Sequence, residues 1–549
     1  MVDNSTILSQ LSLFAKLSEL HGQNPFKIRA YSSAAFNLKK IKNPYASLTD
    51  EELLSVPGVG KGVVESIREI STKDHWFDLD ELLKITPSGV VDMLRIKGLG
   101  PKKVKTIWSD LKIETTGELL DACRQNRLVE VKGFGLKTQA DIARYIEFAM
   151  SAEGKWHFAR VWQPATDFKE NLKLAFPDDR VEFTGSFRRA CEVIENVEII
   201  TDVDIDELIA FCDDQQMPTD AMDGEIYSKL LGVYPLIIYA TNAEEFDQFW
   251  FETTSSPAHL KKLSYSRLES FHGEEAFYKS KGYHYIIPEL REGRNELDTD
   301  FTKEGIIEYW QLQGVLHNHT TASDGLSSLR EMAEYAKDQK YQYLGICDHS
   351  QSAAYAGGLK ADELIKQGEE IDALNRELAP FKIFKGVESD ILSNGDLDYP
   401  EEILKTLDFV VASVHSGLKM DEQKANHRLI KAIENPYTTI LGHPTGRLLL
   451  LREGYPIDHK YIIDACATNN VVIELNAHPY RLDLDWRWIP YAQEKGVMIS
   501  INPDAHEKQG YHDMYFGTLA ARKGGLLQKN TLNAMSLEEF ESFLSKSRS

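Results

Sequence analysis

At 549 residues the chain is too long for one core, and ordinary domain sizes predict roughly three or four domains. Its formal net charge of −23 excludes indiscriminate nucleic-acid binding, and five cysteines at 123, 191, 212, 347 and 466, with no CxxC spacing, exclude a disulfide framework and a thiolate zinc site. No apolar run approaches the roughly 18 residues of a membrane helix, and MVDNSTILSQL lacks the layout of an export signal, so a cytoplasmic protein with no membrane partner is expected.

Residues 1–150 read as helical throughout, and their charge is nearly balanced, 21 Lys and Arg against 19 Asp and Glu, while the remainder holds 41 against 66. Any grip on DNA is therefore expected to be local. Three breaks between the helices resemble one another: VPGVGKG (56–62), IKGLGPKK (96–103) and VKGFGLK (131–137). In each, a Gly-apolar-Gly turn (Gly58 and Gly60, Gly98 and Gly100, Gly133 and Gly135) leads into a helix. The glycines allow a tight turn that offers backbone N–H groups at the helix start, where a phosphate oxygen is favoured. Lys61, Lys102, Lys103 and Lys137 follow at once. One such turn is ordinary helix–helix chemistry; three with trailing lysines favour a DNA backbone.

From 151 to 307 the pattern is mixed α/β, with strand-like runs at VEFTG (181–185), NVEII (196–200) and VYPLIIYA (233–240). TGSFRR (184–189) suits a phosphate-gripping turn, with Ser186, Arg188 and Arg189 as candidate nucleotide-binding residues. The strand after it carries Asn196 and Glu198.

The third segment, 308–549, alternates apolar runs with amphipathic helices, the rhythm of βα units. Its runs repeatedly end in a metal-capable side chain: His317 and His319, then His349, Glu388, His415, His443, and finally Asp504 and His506, with Asp324 just beyond the first pair. In a barrel of parallel strands the C-terminal strand ends share one mouth, so these nine side chains are expected to meet. Singly, a histidine at a strand end is usually a polar cap; as a set they point to two or three metal ions and to phosphoester hydrolysis.

These motifs closely resemble the PHP (polymerase and histidinol phosphatase) family, and HNHTTASDG, CDHSQS, ASVHSG, ENPYTTILGHPTGRLL and INPDAH are similar to the PHP domain attached to bacterial family X DNA polymerases. With GSFRR and IIPELREGRNE (286–296), the likeness extends along the whole chain. It implies a multidomain α/β protein: an all-α helix-hairpin-helix region at 1–150, a polymerase-like palm and thumb at 151–307, and a distorted seven-stranded (β/α)7 PHP barrel at 308–549. It also implies Mn2+ or Zn2+ as cofactor, catalysis by the nine ligands through metal-activated water, and 3′→5′ exonuclease or 3′-end phosphoesterase activity in DNA repair, with gapped or 3′-recessed DNA as partner. Protein partners are not indicated. Pro503 and His478 stand where the family usually has Thr and Asn.

On the family's polymerase pattern the three aspartates that hold Mg2+ fall on Asn196, Glu198 and, near the later strand, Tyr234. An amide, a longer acid and a neutral phenol do not supply the anionic octahedral set that magnesium requires, so DNA synthesis is expected to be lost. TTSSPAH (253–259) likewise departs from the family's sugar-selecting segment. Two other readings remain at this point: an active repair polymerase using Asp202, Asp204 and Asp206 in a shifted site, and a phosphatase for a small phosphate ester.

Overall fold

The computed structural model describes residues 3–547 apart from 42, 74, 97 and 268–270, and the chain divides into two compact units, Met1–Glu153 and Gly154–Ser549. The first unit is helical, as its sequence predicts. At each of the three breaks the apolar residue between the glycines, Val59, Leu99 or Phe134, is buried. Its N–H closes the same turn each time, onto the carbonyls of Val56, Ile96 and Val131 at 3.0, 3.0 and 3.1 Å. Gly58, Gly98 and Gly133 hold φ at +85°, +94° and +100°, which a side chain would resist. Helices α1 (Lys61–Lys73), α2 (Pro101–Leu111) and α3 (Leu136–Ala152) begin directly after the second glycine. Gly100 and Gly135 cap α2 and α3 without a side-chain hydrogen bond; α2 opens on Pro101, which has no N–H, and its Lys103 N–H closes onto the Gly100 carbonyl at 2.9 Å.

In the second unit a two-residue strand, Trp156–His157, paired with Val193–Ile194, leads into helix α4 (Phe158–Ala175), followed by β1 (Val181–Phe183), the short α5 (Gly185–Arg188), β2 (Val197–Thr201), α6 (Ile205–Asp214), β3 (Asp220–Met222), β4 (Glu225–Leu230), β5 (Tyr234–Ala240) and α7 (Phe246–Thr254). The five strands form one sheet in the order β1-β2-β5-β4-β3, with β2 and β5 parallel. Alternation along β2 and β5 sends Val197, Ile199, Leu236 and Ile238 into a core with Val161 and Leu172 of α4 and Leu208 of α6. Glu198 points to the other face, towards α5 and α7.

The remainder is a barrel of parallel strands: β6 (Gly314–Val315), β7 (Tyr343–Ile346), β8 (Lys382–Lys385), β9 (Glu388–Asp390), β10 (Val411–Ser413), β11 (Ile440–Leu441), β12 (Val472–Asn476) and β13 (Ile499–Asn502). They pair as β8-β7-β6 and β9-β10-β11-β12-β13, and bridges at His349–Glu388 and Asn318–Ala505 join the two sheets. Because β8 and β9 are one strand interrupted at Gly386 and Val387, the ring has seven members. Leu316, Cys347, Phe409, Val411, Ile440 and Val472 fill its interior with Phe540 and Leu544 of the C-terminal helix Leu537–Ser547.

Helix α8 (Asp513–Lys523), which follows the last strand, joins the barrel to the sheet domain. Phe516 and Leu519 pack against the sheet domain's core. The Lys523 side chain, 2% exposed, donates to Glu292 Oε1 at 2.5 Å, to the Arg189 carbonyl at 3.1 Å and to Cys191 Sγ at 3.5 Å.

Candidate metal centre

Eight of the nine side chains form three overlapping groups whose ligand atoms lie within 4.8 Å of one another: His319, Asp324, His349 and His506; His317, His319 and Asp504; His349, Glu388 and His415. His443 joins them through Glu388. That carboxylate, wholly buried, is approached by five imidazoles: Oε1 by His443 at 3.0 Å, His415 at 3.1 Å and His317 at 3.2 Å, and Oε2 by His349 at 2.9 Å and His319 at 3.7 Å. His317, His443 and Asp504 have φ of +59°, +22° and +53°, a strained turn at the strand end that swings each side chain into the mouth.

Five buried polar atoms here have no hydrogen-bond partner: His317 Nε2, His319 Nδ1, His349 Nδ1, His443 Nδ1 and Glu388 Oε2. Groups this close would ordinarily satisfy one another. His317 Nε2 and His349 Nδ1 face the Glu388 carboxylate at 3.2 and 2.9 Å without a hydrogen bond, an arrangement that fits divalent ions and leaves an unpaired buried cost without them. Nδ1 of His319 and of His443 lies on the ring edge away from the Nε2 that meets Glu388. The charge balance agrees. Burial opposes ionisation of Glu388 and Asp504, yet the imidazoles of His415 and His317 around the first, and of His317 and His319 beside the second, hold both carboxyls well below their usual range. Burial also disfavours charge on His415 and His506, but Glu388 and Asp390 push the first up to about 10, and Asp324 and Asp504 push the second up to about 9.

Sequence reasoning missed the residues that aim the ligands. Glu474, in the middle of β12, accepts from His317 Nδ1 at 2.6 Å, from Asn502 at 2.9 Å, and from Asn476 and the His443 N–H at 3.1 Å. Asp390 binds Nδ1 of His415. Asp348 takes Thr320 N and Oγ1, Ser323 Oγ and Gln367 Nε2 at 2.5–2.8 Å, which fixes the loop bearing Asp324. Such partners fix the tautomer and direction of a ligating imidazole. Their signal was present, since Glu474 follows an apolar run as the ligands do.

The polymerase-like expectations need two corrections. Tyr234 does not stand beside Glu198: the register pairs Val197 with Leu236 and Glu198 with Ile237, so Tyr234 belongs to the core face, against Trp156 and Arg160. Tyr239 shares the face of Glu198, 3.4 Å from its carboxylate. Ser186, Arg188 and Arg189 do not form an open phosphate cradle either. Ser186 donates its N–H, at 3.0 Å, and its hydroxyl to Glu198 Oε2. Arg188 makes a two-pronged pair with Glu274 at 2.7 and 2.8 Å, and Arg189 binds Glu292 at 2.9 Å and the Thr254 carbonyl at 2.7 Å. Gly185 lies so close to Glu198 that a Cβ would stand 1.7 Å from its carboxylate. Asn196 is half-buried just before β2. Asp202 pairs with Arg180 at 2.8 Å and Asp204 caps α6; neither belongs to a metal-capable group among the described residues. In TTSSPAH, His259 is fully buried between Glu296 and Tyr278, 2.7 Å from each.

Comparison with known families matches residues 316–478 to the PHP domain, a metal-dependent phosphoesterase fold, residues 2–75 to a helix-hairpin-helix domain and residues 90–144 to a SAM-like helix-hairpin-helix tandem. Asp504 and His506 lie beyond the PHP match. Along 98% of its length the chain is 34% identical to the DNA polymerase/3'-5' exonuclease PolX of Bacillus subtilis (strain 168), covering 99% of that protein. The chain belongs to the PolX family. The chain is also 31% identical over 207 residues to a probable phosphatase of Caldanaerobacter subterraneus subsp. tengcongensis, covering 35% of this chain and 74% of that one, and 30% identical over 199 residues to one of Acetivibrio thermocellus, covering 35% and 78%. Among the described residues no helix is long and apolar enough to cross a membrane.

Replacing Glu474 with alanine frees His317 and the His443 backbone together, and should weaken metal binding by about 10- to 100-fold, read by calorimetric titration, with the fold retained by circular dichroism. Metal loading should also release protons. His415 and His506, raised to about 10 and about 9, are protonated at pH 7 in the metal-free protein, and only neutral imidazole ligates. Metal affinity therefore rises with pH, and calorimetry in buffers of different ionisation enthalpy should read about two or more protons released near pH 7, from these two and from His317, whose burial is outweighed by Glu474 and Glu388, with the release falling away only as pH climbs past about 10. For the metal-free fold the sign is opposite: the stability that His415 and His506 contribute is fully present below about pH 6.5 and is lost as pH climbs through about 9 to 10.

Proposed function

We propose that this chain is a cytoplasmic, metal-dependent 3′→5′ exonuclease and 3′-end phosphoesterase acting on DNA in repair, at gapped or 3′-recessed ends. The observation that carries the reading is the meeting of His317, His319, Asp324, His349, Glu388, His415, His443, Asp504 and His506 at one mouth, around a buried carboxylate. These nine are the proposed ligands of two or three Mn2+ or Zn2+ ions. Bound, such ions supply Lewis acidity towards the phosphate and lower the pKa of water towards neutrality. The chain's own residues do the rest. Glu474, Asp390 and Asp348 hold the ligands and their loop in place, while the apolar barrel interior keeps bulk water from the floor of the site.

Residues 1–150 bind DNA in this reading. Gly58, Gly60 and Lys61, Gly98, Gly100, Lys102 and Lys103, and Gly133, Gly135 and Lys137 present three like helix starts and lysines to phosphates, without reading bases. That favours a polynucleotide over a small ester. The polymerase-like segment 151–307 serves as scaffold rather than as synthetic site, since Glu198 is one acid where three are needed and the turn at Ser186 is already filled.

With manganese, the protein should shorten a labelled DNA strand from its 3′ end. The double variant His317→Ala/His319→Ala should lose at least about 100-fold of that rate and, with degradation removed, should still incorporate no dNTP opposite a template. Hydrolysis undiminished in that variant would place the activity elsewhere; extension abolished by Asp204→Ala would establish the shifted aspartate site. Replacing Lys102 and Lys103 with alanine should weaken binding alike for unrelated sequences and reduce the slope of log affinity against log salt by about 2, with hydrolysis of a minimal dinucleotide nearly unaffected.

A further inference from the structure

The barrel mouth carries two groups that neither the metal cluster nor the fold consumes. The first is Tyr355, in the helical turn Ala354–Ala356 of the loop after His349. Its side chain is 71% exposed, and its ring centroid lies 6.2 Å from that of His349 at 56°. The loop itself is tightly held. Leu359 N donates to the His349 carbonyl at 2.8 Å and Gly358 N to that of Ala353 at 3.1 Å, and a Cβ on Gly358 would stand 1.9 Å from the Ser350 carbonyl oxygen. Ala353 and Ala356 are buried on either side. The small residues turn in and the one large ring turns out, a placement that gains little for folding.

The second is Arg481. Its backbone is pinned, N–H to the His478 carbonyl at 2.8 Å and carbonyl to Arg447 Nε at 3.0 Å. Its guanidinium makes no hydrogen bond among the described residues, and its nearest acid is Asp504, 4.0 Å from Nη2 to Oδ2. Neighbouring arginines are spent differently: Arg447 on Asp485 at 2.7 Å and on the carbonyls of Arg481 and Leu482, Arg452 on the Gly446 carbonyl at 2.7 Å. A planar five-donor fork is thus left beside the cluster, the shape that suits two phosphate oxygens at once.

From this pairing we infer that Tyr355 and Arg481 grip the terminal nucleotide, the tyrosine ring stacking on its base and the guanidinium holding the phosphate to be cleaved at the edge of the cluster. The inference rests on the 3′-end reading above and names what selects the substrate there. Every base has a π-face, so a stacking platform accepts any terminal nucleotide, as shortening of arbitrary ends demands. A phosphate ester without a base would leave Tyr355 idle.

The test uses the full-length protein and two oligonucleotides that differ only at the 3′ residue, thymidine in one and a tetrahydrofuran abasic analogue in the other. Wild type should prefer the base-bearing end by about 10-fold in kcat/KM, a ratio that Tyr355→Phe keeps and Tyr355→Ala reduces to about 1. Arg481→Ala should raise KM for both substrates without altering that ratio, and Arg481→Lys should bring KM back only in part. Without turnover, in EDTA, a 3′-terminal 2-aminopurine should be quenched on binding wild type and Tyr355→Phe but not Tyr355→Ala. A wild-type ratio near 1, a preference undiminished in Tyr355→Ala, or the absence of quenching overturns the clamp. Failure of the exonuclease reading looks different: neither oligonucleotide is hydrolysed by wild type, while the quench still reports on Tyr355.

Discussion

A fully buried carboxylate is costly unless charge and hydrogen bonds compensate it, and Glu388 is compensated by five imidazoles drawn from four separate strand ends. That requirement organises the mouth of the barrel. His317 and His319 arrive from β6, His349 from β7, His415 from β10 and His443 from β11, and none can move away without exposing Glu388 to an uncompensated field. Around this knot the supporting acids repeat the arrangement one layer out, with Glu474 behind His317 and Asp390 behind His415. The site is thus preorganised by the same interactions that make its metal-free form strained.

The sheet domain shows the opposite use of similar chemistry. It too has a group of buried or half-buried arginines and acids, but these pair with one another. Arg188 and Arg291 share Glu274, Arg189 and Lys523 share Glu292, and Glu198 takes the donors of the Ser186 turn. Arg291 is wholly buried and held by Glu274 Oε1 and Oε2 at 2.6 and 2.8 Å. A closed network of this kind has no donor to offer a phosphate. The contrast lies in the two clusters themselves: at the mouth, unpaired ring nitrogens of His317 and His349 face the Glu388 carboxylate, whereas Arg188, Arg189 and Arg291 are each held by an acid.

Much of this was legible in the sequence. The helix Ala361–Leu378 coincides with its amphipathic run, and the ligands stand at the ends of apolar runs because parallel strands put their C-termini at one mouth. Less legible was the hairpin of β3 and β4, although Asp223 and Gly224 between them both take positive φ, the turn that an Asp-Gly pair favours. Tyr234 was misplaced because a count along one strand cannot reveal its register against another; a single-residue shift moves a side chain to the opposite face. The occupied Ser186 turn was invisible for a related reason. Nothing in TGSFRR says that Glu198, Glu274 and Glu292 will reach it from 12, 86 and 103 residues away.

The contact between Lys523 and Glu292 sets a limit on how this chain can be divided. The lysine belongs to the helix after the last ligand-bearing strand, while the glutamate and the Arg189 carbonyl that receive it belong to the sheet domain. A cut between the two would take away the partners of the Lys523 ammonium and uncover Phe516 and Leu519 beside it. The barrel therefore inherits part of its own wall from the preceding domain. Loss of synthesis would not make that domain dispensable, because selection on hydrolysis alone would still act on its acids.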